Sequence, residues 1–581
     1  LSLLPLPGAS DHSSLAPGRS LGSHLVSRNA APDPSLSEPP RSARLVVPAS
    51  AAGTAFEWYD FFIFVPLSSI LARTFFAGVN DAAGYILALG AFAAGFAFRP
   101  LGALIFGRMG DLIGRKSTFL VTISMMGGAT FAIGLLPTYA SAGLLAPVLF
   151  VSLRILQGLA LGGEWGGAAI YIAEHSTADR RGYLTSWMGP AAAFGLGGAL
   201  VVTLGTRLAV GEAAFDSWGW RVPFLVSALL LALSLWIRLK LHESPMFQKL
   251  RASGQQSKAP YRESFGEWRN LKVVLIALFS MMVAQGAVWY TTFFYSQFFV
   301  ERIVKVDPGT VNALMIGLVL VSAPLYLFFG WLSDRIGRKP VMLGGMIIMA
   351  VAIFPTFHAI TRAANPALVE AIERAPVSVV ADPGECALQF DPVGKSQFRS
   401  SCDLVKTVLA NGGVPYVDVA APPGTLAQVR IGEVVVASAD GRGLDAKALV
   451  ALKSEVGGRV KAALVAAGYP PSADPARVDA VTVFAWLMVL VVGATALYGP
   501  QAACLVELFP TRIRYTALSL PYHIGTGWVG GFLPATAYAM TVATGDIYFG
   551  LWYPTIAVTL SVIVTALFLP ETRHRALDGV D

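Results

Sequence analysis

Apolar residues fall along this chain in long blocks, and some, such as residues 121–151 and 222–236, contain no Asp, Glu, Lys or Arg. A hydrocarbon core about 30 Å thick is crossed by roughly 20 mostly apolar residues in a helix. The blocks predict twelve such helices in two groups of six: 51–71, 83–106, 117–139, 144–171, 184–208 and 222–241, then 271–300, 311–331, 340–360, 481–506, 515–543 and 549–569. Helices are expected because each satisfies its own backbone in lipid, and the blocks are too long and too uniformly apolar for barrel strands.

One segment breaks the pattern. Residues 362–479 mix charges with short β-like runs such as 377–380 and a helix-like run at 444–467, which predicts a small α+β domain. The expected fold is therefore an all-α membrane protein of two six-helix repeats with an α+β insert. Residues 1–47, rich in Pro and Ser and lacking an initiator Met, are read either as a disordered tail or as residues upstream of the true start, and their opening apolar run is too short for a signal-peptide core. The N-terminal half follows over 48–242, a cytoplasmic linker over 243–270, and the first three helices of the second half over 271–361. The insert occupies 362–479, the last three helices 480–572, and a cytoplasmic tail 573–581.

Composition agrees. Charged residues make up 14% of the chain, hydrophobic residues 55%, and the mean hydropathy is +0.60, against roughly a quarter charged in a soluble globular protein. The net charge of +7 resides largely in the even-numbered connections between apolar blocks. That pattern places both termini in the cytoplasm of a bacterial inner membrane and the insert in the periplasm, and it argues against nucleic-acid binding. With 3 cysteines the chain is neither a disulfide framework nor a zinc-cluster protein. Cys386 and Cys402 both lie in the insert and are read either as a disulfide or as two free thiols; Cys504 is a packing residue. No metal site, cofactor or enzyme constellation stands out. The expected partners are a small-molecule substrate, protons and the bilayer, with a monomer as the working unit.

A decapeptide pattern, G-x-x-x-D-x-x-G-R-K, occurs twice, as Gly107, Asp111, Gly114, Arg115 and Lys116, and as Gly330, Asp334, Gly337, Arg338 and Lys339. The copies follow equivalent helices of the two groups, which points to duplication. A basic turn explains the Arg and Lys but not the Asp. A carboxylate at the membrane face can bind a neighbouring helix N-terminus or an Arg, so the two turns are read as cytoplasmic gates.

At these residues the chain resembles the major facilitator superfamily. Phe56-Glu57-Trp58-Tyr59-Asp60-Phe61, Arg99-Pro100-Leu101-Gly102, Arg154-Ile155-Leu156-Gln157-Gly158, Gly162-Gly163-Glu164-Trp165-Gly166-Gly167 and Trp220-Arg221-Val222-Pro223-Phe224 are similar to its metabolite:proton symporters. Glu507-Leu508-Phe509-Pro510-Thr511-Arg512 and Leu569-Pro570-Glu571-Thr572 extend the likeness, and Glu507 and Arg512 join the expected gate. Relatives of that kind carry proline and betaine, shikimate, 2-oxoglutarate, citrate or other small carboxylates. The chain departs from the family pattern at His523, where a polar amide is expected, and in the 362–479 insert.

Ionisable residues inside a membrane cost on the order of 3 kcal/mol each on insertion scales and are functional candidates by default. Glu57 and Asp60 share a face of the first helix, Arg99 lies in the second, and Arg154, Gln157 and Glu164 lie in the fourth. Asp60 and Arg154 are expected to form a titratable pair with Glu57 beside it, and the resemblance also implies a coupling carboxylate in the first helix and an Arg in the fourth. Arg99, Arg154, Gln157, Glu164, Gln285, Trp289, Tyr290, Tyr498 and His523 are the expected substrate contacts. The function read from the chain is proton-coupled symport of a carboxylate-bearing metabolite, powered by the proton gradient. The alternative is a nutrient sensor on a carrier scaffold that does not translocate.

Overall fold

The structure is a computed structural model that describes residues 41–76, 94–240, 243–387 and 398–577. Nine helical stretches among the described residues are long and apolar enough to cross a membrane: Arg115–Leu135, Leu145–Glu174, Arg181–Val210, Arg221–Leu239, Trp268–Ile303, Pro308–Ile336, Arg338–Ala364, Ala480–Leu508 and Phe549–Phe568. Each coincides with one of the apolar blocks. The first block forms two helices, Arg41–Phe62 and Phe64–Phe75, separated only by Ile63. The helix thus begins inside the segment expected to be a disordered tail, because Ala43, Arg44 and Leu45 are good helix formers and Leu45, Val46 and Val47 extend the apolar run; residues 1–40 lie outside the described part. Of the second block, 83–93 lie outside the described residues and Arg99–Leu112 is helical. The eleventh is α-helical over Arg514–His523, π-helical over Ile524–Gly530 and α-helical again over Leu533–Thr544.

Arg115–Leu135 packs against Leu145–Glu174 and Arg221–Leu239 in the first half, and Arg338–Ala364 packs against Ala480–Leu508 and Trp552–Phe568 in the second. The halves meet where Arg99–Leu112 lies on Arg514–His523 and where Pro308–Ile336 lies on Arg181–Thr185. Leu204, Leu229, Leu320, Val351 and Leu567 are all more than half exposed. So many large exposed apolar side chains on helices mark a surface solvated by lipid.

The insert has its own core, built from Val377, Val379, Val429, Ile431, Val405, Leu409, Val456 and Val460. Its four strands, β1 (Val377–Ala381), β2 (Val417–Ala420), β3 (Gln428–Ile431) and β4 (Val434–Ala437), are ordered β2-β1-β3-β4. β1 and β2 run parallel, joined through the helix Ser401–Asn411, and β3 is antiparallel to both β1 and β4. The helix expected at 444–467 spans Ala446–Ala466. Cys386 and Cys402 form a disulfide that ties the loop after β1 to the start of Ser401–Asn411, and Cys504 is a buried free thiol. The insert is fastened to the bundle through backbone, with Tyr416 N–H donating to the Gly545 carbonyl and Ala473 N–H to the Lys305 carbonyl, both at 2.9 Å.

The second and fourth helices touch backbone to backbone: a Cβ on Gly162 would overlap the carbonyl of Arg99 and the amide of Ala103. Gly162→Val is expected to lower stability by about 1–3 kcal/mol, seen as a fall in the thermal midpoint of the detergent-solubilised protein. Gly128→Val, where nothing lies within 4 Å, is expected to leave that midpoint in place.

Candidate functional site

The two repeated turns do the same work on opposite halves. Asp111, at the end of Arg99–Leu112, accepts the backbone N–H groups of Tyr515 at 3.1 Å and Thr516 at 2.8 Å, at the start of Arg514–His523. Asp334, near the end of Pro308–Ile336, accepts those of Gly182 at 2.8 Å and Tyr183 at 2.7 Å, at the start of Arg181–Val210. Each carboxylate sits on the positive end of a helix dipole from the other half and satisfies orphan donors there. Arg115 and Arg338 hold the carboxylates from behind, at 3.6 Å and 2.5 Å. Gly114 and Gly337 take φ of +119° and +110°, a region that favours glycine. This turns the next residues so that the N–H groups of Arg115 and Lys116 reach the Glu243 carboxylate and those of Arg338 and Lys339 reach Glu571. Lys116 and Lys339 cap helix ends through the carbonyls of Leu239 and Ala566.

A second duplicated element was not picked out in the sequence. Glu174 is followed seven residues later by Arg181, and Glu507 by Arg514. In space the partners are exchanged: Arg514 pairs with Glu174 at 2.7 Å and Arg181 with Glu507 at 2.8 Å, all four buried. Arg338 also reaches Glu507, at 3.3 Å. Arg512, expected in the gate, pairs instead with Glu263 of the linker at 3.3 Å and is half exposed. Asp111, Asp334 and the two exchanged pairs close one end of the bundle across the halves.

Deeper in the first half, the expected Asp60–Arg154 pair is not formed in this conformation. Asp60 accepts a hydrogen bond from the Ser227 hydroxyl at 2.6 Å, while Arg154 donates to Gln157 at 2.7 Å and Gln157 donates on to Thr130 at 2.7 Å. Arg154 also lies over the Phe61 and Phe64 rings. Residue spacing along two helices could not reveal that Ser227, from a third helix, stands beside Asp60. Glu57 is likewise not part of an Asp60–Arg154 unit. It joins Glu164 on Arg238, whose guanidinium reaches Glu57 at 2.8 Å and Glu164 at 3.3 Å. Glu164 and Gln157 share a helix face but serve different neighbours. Arg238 was missed because it lies in the last turn of its helix, where a basic residue reads as a topology marker.

Arg99 is buried between the halves. Its guanidinium stacks on Phe96 at 4.2 Å and Phe61 at 4.6 Å, beside the hydroxyls of Tyr290 and Tyr522 from the second half. Its Nε and Nη2 have no hydrogen-bond partner. His523 faces Arg99, and its ring nitrogens make no hydrogen bond of normal geometry. Trp165 stacks on Tyr522 at 3.6 Å, with Tyr498 alongside. Trp289 bonds Tyr326 at 3.2 Å and lies against Tyr290. Of the expected substrate contacts, the structure therefore gathers Arg99, Trp289, Tyr290, Tyr498 and His523. Arg154 joins through Phe61, whose ring both arginines share. Gln285 is buried with an unpartnered Oε1, but no described contact ties it to this group. No cluster of metal-ligating side chains occurs among the described residues.

This architecture has known counterparts. A family model described as sugar (and other) transporter matches residues 45–264 and 460–581, and one described as MFS/sugar transport protein matches 169–373. The chain belongs to the sugar (and other) transporter family, within the major facilitator superfamily. It is a transporter-family protein. It is 34% identical over 330 residues to a proline/betaine transporter of Escherichia coli strain K12, a match covering 54% of this chain and 64% of that protein's length. It is 35% identical over 330 residues to the shikimate transporter of the same strain, covering 55% and 73%. Among solved structures, the proton:xylose symporter XylE bound to 6-bromo-6-deoxy-D-glucose superposes with a TM-score of 0.62 at 15% identity, over 93% of this chain and 98% of that one.

Two outcomes are expected at the closed end. Burial pushes the Glu571 carboxyl up, but the backbone N–H groups of Arg338, Arg573, Lys339 and Thr572 outweigh it and hold the group below its ordinary value of 4.5. The stability this supplies is complete above that value and is lost as pH falls through the lower folded one. Glu571→Gln is therefore expected to flatten the fall in thermal midpoint between pH 6 and pH 3 relative to the parent protein. Glu174→Gln leaves Arg514 buried beside a neutral partner and is expected to cost about 3–5 kcal/mol. The double variant Glu174→Arg/Arg514→Glu is expected to restore part of that loss in the same melting assay.

Proposed function

We propose that the protein is a secondary active transporter that carries a small carboxylate-bearing metabolite together with protons by alternating access between two six-helix halves. An organic acid or a zwitterion such as proline or betaine fits this description. The reading rests on Arg99, a buried guanidinium with two unpartnered nitrogens, walled by aromatic faces from both halves. A cation held in a low-dielectric site without a full set of acceptors is matched by an anionic ligand, and the aromatic walls suit an apolar or quaternary-ammonium body. The relatives named for proline/betaine and for shikimate support a substrate of this size and charge.

In this reading the duplicated turns face the cytoplasm, together with both termini, and the insert lies in the periplasm of an inner membrane crossed twelve times. The closed latches then correspond to a state shut toward the cytoplasm, and opening there breaks the Asp111 and Asp334 contacts and the exchanged Glu–Arg pairs together. Asp60 is the coupling carboxylate. Bonded to a hydroxyl instead of a cation, it belongs to the arm of the cycle in which it carries its proton, and it turns to Arg154 after releasing it. The proton gradient is the energy source, no cofactor takes part, and one chain suffices.

Purified protein in vesicles is expected to exchange and concentrate a labelled organic acid or betaine from a test panel when an inward proton gradient is imposed. A protein that only senses its ligand exchanges no label, which would discard the transport reading. Arg99→Gln is expected to weaken transport by one to two orders of magnitude, the size of a lost charge-assisted contact of about 1.5–3 kcal/mol. Asp60→Asn is expected to abolish uphill uptake while leaving downhill exchange, and full gradient-driven uptake in that variant would remove Asp60 from the mechanism.

A further inference from the structure

Asp60 is not the acid best placed to hand a proton toward the latched end. Glu57 lies one helical turn before it on the same face, and Glu164 comes from Leu145–Glu174. The two glutamates are within hydrogen-bonding reach of one another, and both contact the single guanidinium of Arg238. All three are at least 96% buried, with exposures of 4%, 0% and 2%. Arg238 is packed flat on the Phe119 ring at 3.4 Å, and Gly53 leaves it room where a Cβ could not fit.

The charge count is decisive. Two ionised carboxylates on one guanidinium leave an uncompensated negative charge in a buried site, whereas one proton shared between the carboxylates makes the group neutral and supplies the hydrogen bond between them. The other titratable groups facing it are Asp60 on the same helix and Tyr515 from Arg514–His523, neither of which adds positive charge. The Oε2 of Glu164 receives no hydrogen bond from an N–H or O–H donor of the protein, so an acceptor position is open for the shared proton.

We propose that Glu57, Glu164 and Arg238 form an inner proton-binding station distinct from Asp60. The station holds one proton between the two glutamates, and the coupling proton passes through it after leaving Asp60. The order along the bundle supports the direction. Asp60 and Glu57 follow each other back along the first helix, and Glu164 lies ahead of Glu174, which joins the latch through Arg514. The Tyr515 hydroxyl bonds the Gly163 carbonyl at 2.5 Å while its N–H bonds Asp111, so the station adjoins the contact that opens in the transport cycle. The proposal rests on the proton-coupled reading for its role in transport, but the shared proton itself stands independently of it.

The test separates the two. In full-length Asp60→Asn protein at neutral pH, infrared difference spectroscopy with hydrogen–deuterium exchange is expected to show the C=O stretch of a neutral carboxylic acid. That signal should lose the equivalent of one carboxyl in both Asp60→Asn/Glu57→Gln and Asp60→Asn/Glu164→Gln, since each Gln leaves Arg238 with one ionised partner. No such band in the Asp60→Asn protein, or an unchanged band in both double variants, overturns the shared proton. In vesicles, Glu164→Gln alone is expected to lower gradient-driven accumulation at least tenfold, and by more than it lowers substrate exchange measured without a gradient. Undiminished accumulation overturns the station's place on the proton path. A parent protein that accumulates nothing removes the proton-coupled reading and with it that place on the path, while the infrared result still decides where the proton is held.

Discussion

Each half of the bundle is closed onto the other by an aspartate that accepts two backbone N–H groups at the start of a helix belonging to its counterpart. The contact is strong where it sits, because a carboxylate on a helix N-terminus gains both hydrogen bonds and the dipole. It is also separable, because nothing covalent or deeply interdigitated joins the helices there. Everything else at that end depends on this geometry. The Arg behind each Asp, the left-handed Gly that turns the chain, and the Glu of the following segment that accepts the turned amides keep the carboxylate aimed.

The exchanged pairs Glu174–Arg514 and Glu507–Arg181 obey the same constraint. Buried charges must be matched, and here each half supplies the counter-charge for the other. Separating the halves strands an acid and a base on each side until water or substrate compensates them. A carrier that used only apolar contacts at this interface would expose grease when it opened, whereas charged pairs become well solvated when they part. The price in desolvation when closed is offset by the contacts each pair regains.

Matching of charge also sorts the interior of the first half. Glu57 and Glu164 find Arg238, Asp60 finds only a hydroxyl, and Arg154 finds an amide and two aromatic faces. Arg99 is left with aromatic neighbours and unpartnered nitrogens at the seam between halves. The groups whose compensation is incomplete lie where a proton or an anionic ligand would complete it.

The amino-acid sequence alone determined the membrane character, because burying backbone in lipid demands long apolar helices and those are visible as blocks of composition. It also determined the duplication, because Asp111 and Asp334 recur in the same ten-residue frame, and the compact insert between residues 362 and 479. The partners of the buried charges were decided by the tertiary structure only. Ser227 and Arg238 lie more than a hundred residues from Asp60 and Glu57, and helix periodicity reports which face a residue occupies but not which helix stands opposite. The crossed pairing of Glu174 with Arg514 was undecidable for the same reason, since the repeat of Glu and Arg at a spacing of seven is equally compatible with pairing inside each half. The joining of Cys386 to Cys402 was likewise settled by folding, when the helix after β1 brought its first turn against the loop that carries the other sulfur.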